Sequence, residues 1–271
     1  DRLLGFRESN GVFACKGGRL AEAFAPGDDE TIDNTVSSMI GLSQRHPDIP
    51  QYALIAPTAV NILDHTLPAH VPTTDQNIYL DDLYARLGEA GIQCIDVRST
   101  LEEHSSEDIY YRTDHHWTTR GAYYAFEEAA DAIGFIPIYD YEPSPVTYAF
   151  QGTLSAKSGF NSGEKEEMDV YLPIGDVPQS VVNYVEQQKK VASFYDTAQL
   201  EGRDKYAMFF GGNHALVKIS TPVEESRTLL VIKDSYANCL VPFLAPYYRS
   251  IILVDPRYYF GDLEQLIAVE E

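Results

Sequence analysis

Asp114, His115, His116 and Trp117 stand side by side in "TDHHWTTRGAYYAF", residues 113 to 126. One acid, two imidazoles and the chain's single tryptophan admit three arrangements. In the first, Asp114, His115 and His116, joined by His214, ligate a metal, since imidazole and carboxylate both suit zinc or iron. Adjacent histidines on regular backbone point in different directions, however, and no HExxH motif accompanies them. In the second, Asp114, Thr118 or Thr119 caps a helix and Trp117 fills the core. A cap accounts for the threonines and leaves two histidines unexplained. In the third, His116 is a general base and Asp114 holds its far ring nitrogen. Residues i and i+2 of an extended or tightly turned segment face the same way, so Asp114 stands behind His116 while His115 points elsewhere.

The third arrangement needs a nucleophile from another part of the chain. Ser235 fits best. It follows the apolar run "TLLVI" and precedes a helix-like stretch in "KDSYAN". A hydroxyl at such a strand-to-helix junction is exposed, and backbone N–H groups of the helix start can stabilise an oxyanion. No G-x-S-x-G motif is present, which excludes the α/β-hydrolase elbow.

These residues must be carried by a scaffold. "GVFACKGGRL" reads as a hairpin turning at Gly17 and Gly18. Helical periodicity covers about 29–44, 74–90 and 118–133, the last stopped by Gly134. Short apolar runs at 52–57, 92–97, 228–232 and 250–255 read as buried strands. "YAMFFGGNHALVKIS" reads as strand, Gly-Gly turn, strand, and a short helix from about Gly261 closes the chain. The segment 137–203, with scattered Pro, Gly and Tyr and the charged run "GEKEEMD", shows no long period and reads as an insertion or lid. Strands alternating with helices predict an α/β fold with a mostly parallel sheet, whose sites form at the carboxyl ends of strands.

Composition narrows the chemistry. The 271 residues suffice for one α/β domain with an insertion. A formal net charge of -21 repels nucleic acid and anionic membranes. Three cysteines without a CxxC pair encode neither a disulfide framework nor a thiolate zinc site. No apolar run is long enough to cross a bilayer. The chain begins at Asp1, and an export signal or anchor is expected to have stood ahead of it. The 19 tyrosines mostly serve packing, although aromatic faces also stack on sugar rings.

"TDHHW" ahead of a glycine-containing helix start, and "KDSYAN" after an apolar strand, resemble the DHHW family. That family is similar to the alginate O-acetyltransferase proteins of the SGNH-hydrolase type. The likeness runs from "GVFACKGGRL" to "VDPRYY". It implies an SGNH-hydrolase-like three-layer sandwich with a mostly parallel central sheet, as a single domain over 1–271 with 137–203 inserted. The motif order is permuted, with acid and histidine before serine.

The resemblance assigns Ser235 as nucleophile, His116 as general base and Asp114 as its orienter. Asn213, in "GGNH", would donate to the oxyanion together with the Ser235 N–H. Tyr236, His115 and His214 are further candidates for substrate contact from their places in the sequence, His115 having no assigned role in the family pattern. Where relatives read G-D-S, this chain has Lys233, which would crowd the turn or set positive charge beside the nucleophile.

The expected activity is an extracytoplasmic serine esterase or O-acetyltransferase acting on acyl groups of a polysaccharide or cell-envelope glycan. Its partners would be the carbohydrate polymer, an acyl donor or ester, and a membrane-bound acyltransferase. No cofactor and no metal are expected. The alternatives are a non-catalytic carbohydrate-binding or assembly protein of an exopolysaccharide system, and a metal-dependent hydrolase.

Overall fold

Two contact-defined units make up the chain in a computed structural model that describes residues 7–160, 165–224 and 226–270. One comprises Asp1–Ile138 with Gln151–Glu166, and the other Tyr139–Phe150 with Glu167–Glu271.

The first unit opens with a three-stranded antiparallel sheet of β1 (Glu8–Ser9), β2 (Val12–Ala14) and β3 (Leu20–Glu22). The expected hairpin is there, turning through Gly17 and Gly18 at φ 68° and 73°, a region that favours glycine. Helix α1 (Asp29–Arg45) starts where Asp28 accepts the Thr31 N–H, and it is followed by β4 (Tyr52–Leu54), α2 (Ala59–Ile62), α3 (Gln76–Glu89), β5 (Gln93–Ile95) and α4 (Arg98–Glu103). β4 and β5 pair in parallel. Val36 of α1, Leu87 of α3, Ala53 and Ile92 form a shared buried cluster.

Helix α5 (Thr119–Ile133) follows the histidines directly. Thr118 caps it by accepting the Gly121 N–H, and Gly134, at φ 86°, ends it. Ala122, Ala125, Phe126 and Ala130 of α5 are fully buried, the apolar stripe of a helix lying on a core. Gly121 has a packing reason: a Cβ there would stand 2.4 Å from the Ile109 carbonyl oxygen. Helix α6 (Thr153–Ser158) completes the unit.

The second unit holds β6 (Tyr141–Phe150) paired with β7 (Glu166–Pro173), whose first residue belongs to the other unit. Its main sheet has the order β11-β12-β10-β8-β9, built from β8 (Val181–Tyr184), β9 (Lys189–Val191), β10 (Leu216–Ser220), β11 (Thr228–Ile232) and β12 (Ser250–Val254). α7 (Val241–Leu244) and α8 (Leu263–Glu270) accompany it.

The expectation of a mostly parallel sheet is corrected here. Only β11 with β12 is parallel in this sheet, and β12–β10, β10–β8 and β8–β9 are antiparallel. A continuous apolar run marks a buried strand and says nothing about its direction, so "LVKIS" and "SIILV" did not disclose their pairing. The fold is mixed α/β with small sheets.

One local reading also changes. "YAM" forms a 3-10 turn, Lys205–Met208, where a strand was expected. The segment 137–203 supplies β8 and β9 to the main sheet. The first two residues of its charged run, 163 and 164, lie outside the described residues. No described helix is long and apolar enough to cross a membrane.

Candidate active site

The Asp-His-His stretch is a closed loop, not a strand. Tyr110 and Trp117 form an isolated antiparallel bridge, the Tyr111 N–H donates to the His116 carbonyl, and the Thr118 N–H donates to that of Ile109. Buried Arg19 ties down the base of the loop by donating to the carbonyls of Tyr110 and Tyr111 at 3.0 and 2.9 Å. Trp117 is 1% exposed and anchors the loop in the core, as the capping arrangement anticipated.

Inside this loop Asp114 Oδ1 lies 2.6 Å from His116 Nδ1 and also accepts the His116 backbone N–H at 3.0 Å. This is an Asx-type turn, in which a short acidic side chain grips backbone two residues ahead. Asp114 Oδ2 accepts the Thr153 N–H and its hydroxyl at 2.7 and 2.8 Å. Asp114 and His116 are buried, with relative exposures of 1% and 4%. Burial pushes the Asp114 carboxyl up, but hydrogen bonding and charge from His116, with help from His115 and Thr153, win and hold it well below the usual carboxylate range. A carboxylate only accepts, so His116 carries its proton on Nδ1 and presents Nε2 as the basic atom.

The cradle behind Asp114 is set 39 residues downstream. A Cβ on Gly152 would meet Asp114 Cβ at 2.2 Å, so only glycine lets α6 bring the Thr153 N–H this close. Thr113 fixes the approach: its hydroxyl donates to Glu166 Oε1 at 2.5 Å and accepts the Gly152 N–H at 2.9 Å. Glu166 also accepts the N–H groups of Arg112 and Thr113. No local signal around "QGT" marked Gly152 or Thr153.

His115 does not point away as expected. Its ring centroid is 3.8 Å from that of His116, tilted by 36°, and its Nδ1 is 2.9 Å from Thr153 Oγ1. Backbone that bends at every residue from 112 to 116 does not alternate sides as a strand would. Ligand atoms of Asp114, His115 and His116 therefore lie within 4.8 Å of one another, the spacing a metal cluster would need. The donor set resists this use, because both Asp114 oxygens already accept two hydrogens each.

The remaining sequence candidates belong to the second unit and share one end of its sheet. β11 and β12 are parallel with Ile232 opposite Val254, so Lys233 and Asp255 emerge side by side. β10 runs antiparallel to β12 with Leu216 opposite Val254, which brings Asn213–Ala215 to the same end. Ser235 opens a 3-10 turn, Ser235–Asn238, where Asp234 Oδ1 accepts the Tyr236 N–H at 2.9 Å. The Ser235 carbonyl accepts from the Tyr206 hydroxyl at 3.1 Å.

His214 donates through Nε2 to the Phe210 carbonyl at 2.8 Å, and its Nδ1 faces the Gln187 amide at 3.1 Å. With both nitrogens engaged and burial pushing its pKa down, His214 is a neutral brace of the turn. It lines a cavity of about 190 Å³ with Tyr184, Tyr195 and Asp196.

Lys233 does not crowd the serine turn. It is 8% exposed, its Nζ donates to Asn238 Oδ1 at 2.6 Å, and Asp255, held by Arg257, lies 3.9 Å away. Burial pushes the ammonium down to about 8 against the opposing pull of Asp255. Asn238 in turn donates to Asn213 Oδ1 at 3.2 Å. Asn238 was legible only as the last letter of "KDSYAN".

Several solved structures are similar to this chain. A DHHW family protein from Eubacterium siraeum DSM 15702 is 23% identical over 98% of this chain and 89% of that one, with a TM-score of 0.76. Bacillus cereus PatB1, solved with a sulfonyl adduct, is 21% identical over 96% of this chain and 90% of that one, with a TM-score of 0.72. The O-acetyltransferase domain of Pseudomonas putida AlgJ is 18% identical over 62% and 67%, with a TM-score of 0.48. No curated protein matches in sequence. The first two likenesses establish a shared fold. Residues 29–254 match the family described as DHHW protein, and by that match, which spans most of its length, the chain belongs to the DHHW family.

Proposed function

We propose that this protein transfers or hydrolyses O-linked acyl groups of a carbohydrate, with Ser235 as nucleophile, His116 as general base and Asp114 as its orienter. The observation that carries the reading is the buried Asp114–His116 pair at 2.6 Å. Its proton sits on Nδ1, which leaves Nε2 to take a proton from a serine hydroxyl. Ser235 supports it by position, since it starts a turn directly after the parallel strand β11. In this reading the chain works as one SGNH-like domain.

The chemistry balances without a cofactor. Ser235 Oγ attacks the acyl carbonyl while His116 Nε2 takes the hydroxyl proton. The carbonyl oxygen becomes an oxyanion, met by the Ser235 N–H and the Asn213 amide. Collapse breaks the ester bond, and His116 returns its proton to the departing alkoxide. Water or a sugar hydroxyl then attacks the acyl-serine in the reverse sequence. Tyr236 and His115 belong to the substrate side of this scheme. The polymer substrate, an extracytoplasmic location and a membrane-bound acyltransferase as donor partner rest on the family resemblance.

The test is covalent. A sulfonyl fluoride should label Ser235, found by peptide mass, and should block release of nitrophenol from p-nitrophenyl acetate. Labelling elsewhere, or equal turnover by wild type and Ser235→Ala, would remove the assignment. A second reading, metal-activated water, has the Asp114, His115, His116 spacing in its favour. Loss of turnover on chelation, with return on adding zinc, would favour it.

A further inference from the structure

We infer that Lys233 is a positioning residue: through Asn238 it forces the Asn213 side chain to present its NH₂ group, and not its carbonyl, at the end of the sheet where Ser235 stands. The inference rests on the proposed acyl chemistry for its catalytic meaning, but the relay itself is a matter of hydrogen-bond direction.

The direction follows from one end. A lysine ammonium has three donors and no acceptor. Its partner atom on Asn238, at 2.6 Å, must be Oδ1. The other arm of that amide is then Nδ2, which donates to Asn213 at 3.2 Å. Asn213 must meet it with Oδ1, so Asn213 Nδ2, with its two hydrogens, is turned outward. Amide oxygens and nitrogens are alike in shape, and only such a chain of partners decides which way each faces. Here a residue incapable of accepting settles both amides in sequence.

Burial suits this role. Lys233 and Asn238 are 8% and 2% exposed, whereas Asn213 is exposed. The fixed charge is therefore in the interior and the oriented donor is at the surface. The charged groups around the ammonium are Asp255 and Arg257 beyond β12 and Asp234 on its own turn, and the titratable His214 faces it from the turn before β10. Asp255, 0% exposed and clasped by Arg257 at 2.8 and 2.6 Å, keeps positive charge tolerable there. Glycine at 233 would leave Asn238 free to flip, and Asn213 with it.

Two substitutions separate orientation from folding. Lys233→Met removes the donor and keeps the volume. Asn238→Asp keeps an ion pair with Lys233 but offers only acceptors, so Asn213 must turn its NH₂ inward and its carbonyl outward. With p-nitrophenyl acetate, Asn238→Asp should lose kcat as severely as Asn213→Ala, about 10²- to 10³-fold for one oxyanion donor, with KM little changed. In the Asn213→Ala background neither substitution should cost more than about twofold, because coupled residues are not additive. Additive losses, or full kcat in Asn238→Asp, would overturn the relay.

A second measurement does not depend on turnover. The Asn213 side-chain amide, identified in ¹H–¹⁵N spectra by its loss in Asn213→Ala, should shift in both Lys233→Met and Asn238→Asp. An unmoved resonance in both overturns the relay. Equal nitrophenol release by wild type and Ser235→Ala, with a shifted resonance, would reject the acyl reading and keep the relay.

Discussion

Asp114 Oδ1 accepts two hydrogens from the same residue, the ring Nδ1–H of His116 at 2.6 Å and its backbone N–H at 3.0 Å. The backbone bond sets the distance, the ring bond sets the tautomer, and Thr153 on Oδ2 prevents the carboxylate from turning. Asp114→Asn should cost turnover on the order of 10⁴-fold, the consequence of a wrong tautomer in a serine triad. It should also cost stability of roughly 1–3 kcal/mol, because an amide NH₂ must face donors on one side. Kinetics on p-nitrophenyl acetate and a thermal melt check the two effects separately.

The same carboxylate predicts an acid limit. Its pKa in the folded protein is held below the unfolded value of about 3.9. The stability it contributes is fully present above about pH 4 and is lost as pH falls towards the folded-state value. The difference in melting temperature between wild type and Asp114→Asn should therefore shrink as pH falls below about pH 4. A difference that does not change with pH would contradict the assigned charge.

Gly152→Ala should behave as an active-site substitution although glycine carries no functional group. The added methyl would stand 2.2 Å from Asp114 Cβ, so the loop or α6 must shift. Displacement of the proposed base by even 1 Å should cost about 100-fold. Turnover should fall by that order while circular dichroism stays native. Near-normal turnover would show that the cradle is slack.

His115 and His116 should separate cleanly. His116→Gln should lose about 10⁴-fold or more. His115→Gln, which removes the contact with Thr153 and the ring packed on His116 but not the proposed base, should lose no more than about tenfold. Elemental analysis of the purified protein should find no stoichiometric zinc, iron or manganese. Equal, severe losses at both positions together with a bound metal would instead select the cluster.

Lys233 gives a test at alkaline pH. Its folded-state pKa is lowered to about 8, against about 10.4 in an unfolded chain. Between these values the unfolded state holds a proton that the native state has released, so native stability rises with pH. Relative to Lys233→Met, wild type should gain stability between about pH 8 and 10.5 and show no such trend from pH 6 to 7.5. Denaturant melts at fixed pH measure this.

The loop residues were legible in the sequence because their chemistry is local. Asp114 and His116 are two positions apart, Thr118 caps the helix that starts beside it, and Gly134 ends that helix. The periodicities of α1, α3 and α5 and the apolar runs of β4, β5, β11 and β12 were likewise written in neighbouring residues, and they gave element positions to within a few residues. Tertiary structure alone decided what came from afar. Strand direction was one such matter, since an apolar run is the same read either way and only hydrogen-bonded partners choose parallel or antiparallel. The Asp114 cradle was another, because Gly152 and Thr153 lie 39 residues on and look ordinary in their own surroundings. Lys233 was visible as a departure from the family's glycine, yet its meaning required the parallel register that sets it beside Asp255 and the turn that carries Asn238 back over it. A side chain's chemistry is fixed by its type, but whether a lysine crowds a turn or orients an amide depends on which donors and acceptors the fold brings within about 3 Å.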